Sequence, residues 1–136
     1  MRLEFNTKDL AGKIRYSAER IITKLVIDTA QNVIVETPFD TGRAKANWHI
    51  SNGKMASDIH KLTKDEDGSE GLSQEASMAR VLAWKGFKMN ATTYLVNNLT
   101  YIVPLEWGSS QQRPNGWVRN NAIELQKKLD EIKDLI

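Results

Sequence analysis

Apolar residues recur at helical spacing through the first quarter of the chain. Leu10, Ile14, Ala18, Ile21, Leu25 and Val33 fall on one side of a helix running from about Lys8 to Glu36. Thr7 is placed to cap it, and Asp9 lies in the first turn, where the helix dipole favours a carboxylate. Pro38 stops it, because the residue before a proline is pushed out of the α region. Ile27, Ala30 and Ile34 form a second stripe beside the first. A helix with one buried face does not need that stripe, so it lies centrally in the core or touches another chain. Such a helix would be roughly 44 Å long. A compact domain of this size is about 35–40 Å across, so the helix kinks or overhangs.

The pattern then changes. Arg43 to Ala46 suits a short helical turn. Asn47 to Ser51 reads as a strand with Trp48 and Ile50 on one face and His49 turned outward to the surface. Residues 52 to 72 hold Gly53, Gly68, Gly71 and the acidic run Asp65-Glu66-Asp67, and a loop of about 53–71 is expected to be flexible or functional. Ser73 is the expected cap of a second helix reaching about Met89, with Leu72, Ala76, Ala79, Ala83 and Phe87 on its apolar side. Thr92 to Asn97 is the best strand in the chain. A short helix carries Tyr101, Leu105 and Trp107, and Gly108 ends it in a left-handed conformation. Asn115 to Ile136 is the last helix. Its stripe of Val118, Ala122, Leu125, Leu129, Ile132 and Ile136 suits a groove of its own domain or a short seam. The fold class is α+β: a long N-terminal helix, a small antiparallel sheet, a central helix and a C-terminal helix, in a single domain covering residues 1–136. Two strands alone are marginal in water. They must lean on the helices, find a third strand, or pair with a neighbouring subunit.

Composition narrows the function classes. The 136 residues contain no Cys, which removes disulfides and thiolate chemistry. The first six residues lack the apolar stretch of a secretory signal, and no run approaches the roughly 20 apolar residues of a membrane helix. The net charge of +2 is too small to imply a nucleic-acid-binding face. His49 and His60 lack companions at metal-ligand spacing, and no phosphate-binding, dinucleotide or zinc-protease motif occurs. No catalytic group, metal or cofactor is expected.

Two segments about 60 residues apart stand out instead. The first is Thr37-Pro38-Phe39-Asp40-Thr41-Gly42-Arg43, followed by Asn47-Trp48. The second is Tyr101-Ile102-Val103-Pro104-Leu105-Glu106-Trp107-Gly108, followed by Arg113-Pro114-Asn115-Gly116-Trp117-Val118-Arg119. Both lie at breaks between regular elements, and both mix aromatics with a carboxylate and an arginine. Arg43 and Glu106 are expected to act together, as an ion pair or cap that fixes the two loops, as a contact to a partner subunit, or as both. Trp48, Trp84, Trp107 and Trp117 are large anchors for a small chain, and tryptophan is enriched at interface hot spots.

These segments resemble the tail-completion, or neck, proteins of long-tailed bacteriophages, the minor tail or head–tail joining components. The resemblance covers most of the chain. Its two motifs match at Asp40-Thr41-Gly42-Arg43 and at Leu105-Glu106-Trp107-Gly108 with Pro114 and Gly116. Trp107 stands where a tyrosine is common, and Arg113 where a small residue is common. The resemblance implies a non-enzymatic virion protein forming a homo-oligomeric ring of six copies at the head–tail junction. Its partners would be portal or connector proteins and the tail terminator or tail tube protein. DNA would only pass through the lumen, no membrane would be involved, and assembly would take place in the host cytoplasm. A tail-terminator-type ring protein, or a small phage-encoded soluble regulator or toxin-type module, are the alternatives.

Overall fold

A computed structural model describes residues 7–133 of the chain, with side chains from residue 12 onward. The order is helix α1 (Thr7–Glu36), strand β1 (Trp48–Asn52), helix α2 (Glu70–Ala83), strand β2 (Thr93–Asn97), a one-turn helix α3 (Ile102–Pro104) that runs into a π turn at Leu105–Ser109, and helix α4 (Val118–Lys133). The α+β class is as expected. β1 and β2 are antiparallel, with Trp48 opposite Asn97 and Asn52 opposite Thr93. This ribbon packs on α2, while α4 lies along α1. The expected capping and stripe roles of Thr7, Asp9, Leu10 and Ile136 fall outside the described side chains.

The core is small and sits at the C-terminal end of α1. Ala30, Val33, Ile34, Trp48, Val81 and Trp117 form it, with Ile27, Ile50, Met78, Leu95, Ile102, Leu105 and Val118 packed around it. This answers the question for two of the three residues of the second stripe, while Ile27 stays half-buried at the edge of the core. Ala30 and Ile34 are 1% and 0% exposed, so they and Trp48 are core and not surface open to another chain. The other half of α1 is only partly covered: Ala18 is buried, but its neighbours in the stripe are not. Ile14 and Ile21, assigned to its buried stripe, are about half exposed. The hydrophobic core gathers on the last turns of α1, and packing thins toward its N-terminal half.

α2 differs from its expected frame. Ser69, not Ser73, caps it by accepting the Leu72 N–H, and the helix stops at Ala83, well short of Met89. Its buried stripe is Ser73, Ser77 and Val81, and Leu72 is turned to solvent. The reason is close approach. Segment 42–48 runs against α2, and the Ser77 hydroxyl donates to the Lys45 carbonyl at 2.6 Å while accepting the Trp48 N–H at 3.0 Å. A larger side chain would hold the two apart. α4 likewise starts at Val118 and not Asn115, for a reason given by Glu106 below. Val118, Leu125, Leu129 and Ile132 are half-buried and Ala122 is exposed.

His49 is buried at 7% exposure, against the expectation of a surface residue. Segment 53–69 folds back over the second face of the ribbon. Asn47 exchanges two hydrogen bonds with the His60 backbone, and the Asn98 amide donates to the carbonyls of Ala56 and Asp58. Thr63 and Glu66 close a reciprocal capping box within the segment, and Glu66 Oε1 lies 2.9 Å from His60 Nε2. The segment expected to be a flexible loop is thus tied to the domain by side-chain-to-backbone hydrogen bonds.

Candidate interaction surface

Both unusual segments grip the end of α1. The last carbonyls of a helix have no partner within it, and α1 has no basic residue in its final turn. Thr37 Oγ1 donates to the Val33 carbonyl at 2.7 Å and accepts the Trp48 indole N–H at 2.9 Å. Lys45, 1% exposed, sends its ammonium to the carbonyls of Ile34 and Val35 at 3.3 and 2.5 Å. Arg113 Nε donates to the Glu36 carbonyl at 2.8 Å. Two cations from distant segments therefore meet the negative end of the helix dipole. Burial pushes the Lys45 pKa down, and Glu70, 3.5 Å away, works against that.

The segments also bind each other. The Phe39 N–H donates to Gln112 Oε1 at 2.9 Å, and Gln112 Nε2 returns a bond to the Phe39 carbonyl at 2.6 Å. A cleft of about 250 Å³ lies between them, lined by Asp40, Thr41, Gly42, Arg43, Tyr101 and Leu105 among others. Burial raises the pKa of the Tyr101 phenol; the charge of Arg43 opposes this and that of Asp40 adds to it. Gly42 has a φ of +97°, and a Cβ there would stand 2.6 Å from Ser73 Cβ. Only glycine fits the turn and the adjacent helix together.

Glu106 does not pair with Arg43. Its carboxylate is turned the other way, onto the start of α4. Oε1 accepts the N–H groups of Trp117 and Val118 at 2.7 and 2.8 Å, and Oε2 accepts the N–H and Nε of Arg119 at 3.0 and 2.7 Å. Free N–H groups and the positive helix end make this the best anion site nearby, and Arg43 is left exposed. Burial alone would raise the Glu106 pKa, but these hydrogen bonds outweigh it and hold the carboxyl below the usual glutamate range. Gly116, at φ +77°, makes room: a Cβ there would meet the Glu106 carbonyl at 2.5 Å. Gly108, at φ +103°, lets the chain pass the Pro114 carbonyl, which its Cβ would approach to 2.6 Å.

This arrangement presents one aromatic outward. Trp107 is 67% exposed, and the Arg119 guanidinium lies 3.8 Å from its ring centroid. Arg119 is in turn fixed by Glu106, so the ring is backed by a clamped cation. Val103, one turn earlier, is 60% exposed. Ile102, Val103, Trp107 and Val118 border a shallow, mainly apolar groove of about 200 Å³. Of the residues named from sequence, Tyr101, Trp107, Asp40, Thr41, Arg43 and Pro114 reach the surface, and Arg113, Gly108 and Gly116 are structural and partly buried. Lys45, Gln112 and Arg119 were not given these roles. A Lys with no acid at helical spacing was the available signal for Lys45. Arg119 closes the second segment, but no local pattern in the sequence sets it above Arg43 as the partner of Glu106.

Among the described residues, no group of three or more His, Asp or Glu could hold a metal ion, and no helix is long and apolar enough to cross a membrane. Comparison with protein-family models, with curated proteins and with solved structures finds no match to this chain.

Proposed function

We propose that this chain is a structural virion protein of a long-tailed phage, assembling with itself into a ring at the head–tail junction and joining the connector to the tail around the DNA channel. The observation that carries the reading is the Trp107–Arg119 platform. An exposed tryptophan over a clamped arginine, beside an apolar groove, has the makeup of an interface hot spot already ordered before binding. The two segments that carry the resemblance to neck proteins also hold each other and the same helix end, so the surface they form is rigid. Binding, not turnover, is what such an arrangement favours.

Two measurements test this. Purified protein at high concentration should form closed rings visible by negative stain, and Trp107→Ala should weaken them while leaving the circular dichroism spectrum unchanged. Phage particles assembled without the protein should accumulate filled heads and free tails that do not join. Normal particles in its absence would refute the assignment.

A further inference from the structure

The structure separates charge along α1. A cleft of about 400 Å³ on the N-terminal half is lined by Tyr16, Arg20, Lys24, Lys85, Phe87 and Lys88, with Glu19 beside them. Four of these are cations, and with Lys13 and Arg15 on the same half of the helix, residues 13–24 and 84–88 carry a net charge of +5. Residues 58–75 hold Asp58, Asp65, Glu66, Asp67, Glu70 and Glu75 against Lys61 and Lys64, a net charge of −4. That acidic segment sits at the other end of α1. Glu70 reaches Lys45, which caps Ile34 and Val35, and the Gly68 N–H bonds to the Thr41 carbonyl. From Arg20 to Val35 is 15 residues of rigid helix, about 22 Å. The two charged regions cannot meet within one copy.

We propose that the basic cleft of one copy receives the acidic segment of a second copy. Apolar side chains accompany the charge on both sides. Tyr16 is exposed in the cleft, Ile14 and Ile21 are exposed on the same half of α1, and Met55, Ile59 and Leu72 are exposed in or near the acidic segment. Opposite charges steer the encounter and fix the orientation, and the apolar groups supply burial. The two surfaces differ, so the contact is head-to-tail, and such contacts close into rings or continue as filaments. The cleft also suits a nucleic-acid backbone, but two of its cations are already engaged, Lys24 with Asp28 and Lys88 with Glu19. The chain itself carries a matching acidic segment, in which Glu66 and Glu70 are likewise engaged, with His60 and Lys45, and Asp58, Asp65, Asp67 and Glu75 supply the rest of the charge. This inference rests on the self-assembly in the proposed function and names the surfaces that would carry it.

Charge reversal tests it. Arg20→Glu with Lys85→Glu alters only the cleft, and Asp65→Lys with Asp67→Lys alters only the acidic segment; all four residues are exposed. Each double variant should stay folded by circular dichroism and lose at least about tenfold in self-association by sedimentation velocity. Mixing the two should restore assembly with the variants alternating, because each cleft then meets a segment of opposite charge on the other variant, while contacts within one variant repel. Carrying all four changes in one chain should restore assembly, and raised salt should weaken the wild-type complex. If wild type assembles and both double variants assemble equally well, the inference fails while the ring survives. A wild type that stays monomeric at high concentration and low salt overturns the inference, and the unjoined-particle assay then judges the ring on its own. Loss of DNA retention in the Arg20/Lys85 variant, with self-association unchanged, would assign the cleft to nucleic acid instead.

Discussion

Replacing Glu106 with Ala should be among the most damaging single changes in this chain, and the size of the effect can be worked out. The residue is 8% exposed and its carboxylate accepts four hydrogen bonds. The Trp117 N–H is buried, and leaving it without an acceptor costs about 2 kcal/mol. The bonds from the Val118 and Arg119 N–H groups are only part-buried, so losing their cap costs about 1 kcal/mol more. The total is about 3 kcal/mol, a shift of roughly 2 M in a urea midpoint if the unfolding slope is near 1.5 kcal/mol/M. Arg119→Ala removes a half-exposed ion pair and the stack on Trp107, together about 1 kcal/mol. Arg43→Ala should change almost nothing. Equilibrium urea unfolding followed by tryptophan fluorescence would rank the three. A cost below 1 kcal/mol for Glu106→Ala, or an equal cost for Arg43→Ala, would refute the argument that the carboxylate starts α4. Acid adds a second readout. The folded pKa lies below the ordinary glutamate value of 4.5. The stabilisation is therefore complete above that value and drains away as pH falls through the folded pKa. Glu106→Gln should lose that part of the acid sensitivity.

Lys45→Met should cost about 2 kcal/mol despite its good packing, because the Ile34 and Val35 carbonyls lose their donor; thermal unfolding at neutral pH would measure it, and a stabilised protein would contradict the capping role. Gly42→Ala should destabilise by about 2 kcal/mol or more, and adding Ser73→Gly should recover the clash but not the roughly 1 kcal/mol of left-handed strain; no recovery in the double variant would mean the two residues are not in contact. His49 is held neutral chiefly by burial, with Arg80 adding to it and Asp58 opposing, so its folded pKa lies below 6.5. Stability should rise with pH from the folded pKa up to about 6.5, and His49→Gln should flatten that slope; an unchanged slope would place the titration elsewhere.

The elements legible in the sequence were those set by strong local signals. The strands were found to within a residue because Asn47 to Ser51 and Thr92 to Asn97 combine alternation with β-branched and aromatic residues. The end of α1 was marked by Pro38. Gly108 was rightly placed in a left-handed turn. What escaped depends on partners far along the chain. Ser73 looked like a cap and is instead a small residue under segment 42–48, while Ser69 does the capping. Glu106 and Arg43 are both polar residues beside glycine turns, and only the fold shows that the carboxylate faces α4. Ile14 and Ile21 of the α1 stripe are exposed although Ala18 between them is buried, because periodicity gives the face of a helix and not how much of its length is covered.

Lys45 and Arg113 come from different segments, yet both fasten the same last turn of α1. Mechanically, that turn is a clamp and the N-terminal half is a beam. A tilt of one degree at the clamp moves a point 20 Å along the beam by roughly 0.35 Å. The beam is much stiffer than any loop, so a push on its free end would be felt as torque at Lys45, Arg113 and the Phe39–Gln112 link together. In a ring where each copy grips the next, the orientation of one subunit would then be set by its neighbour.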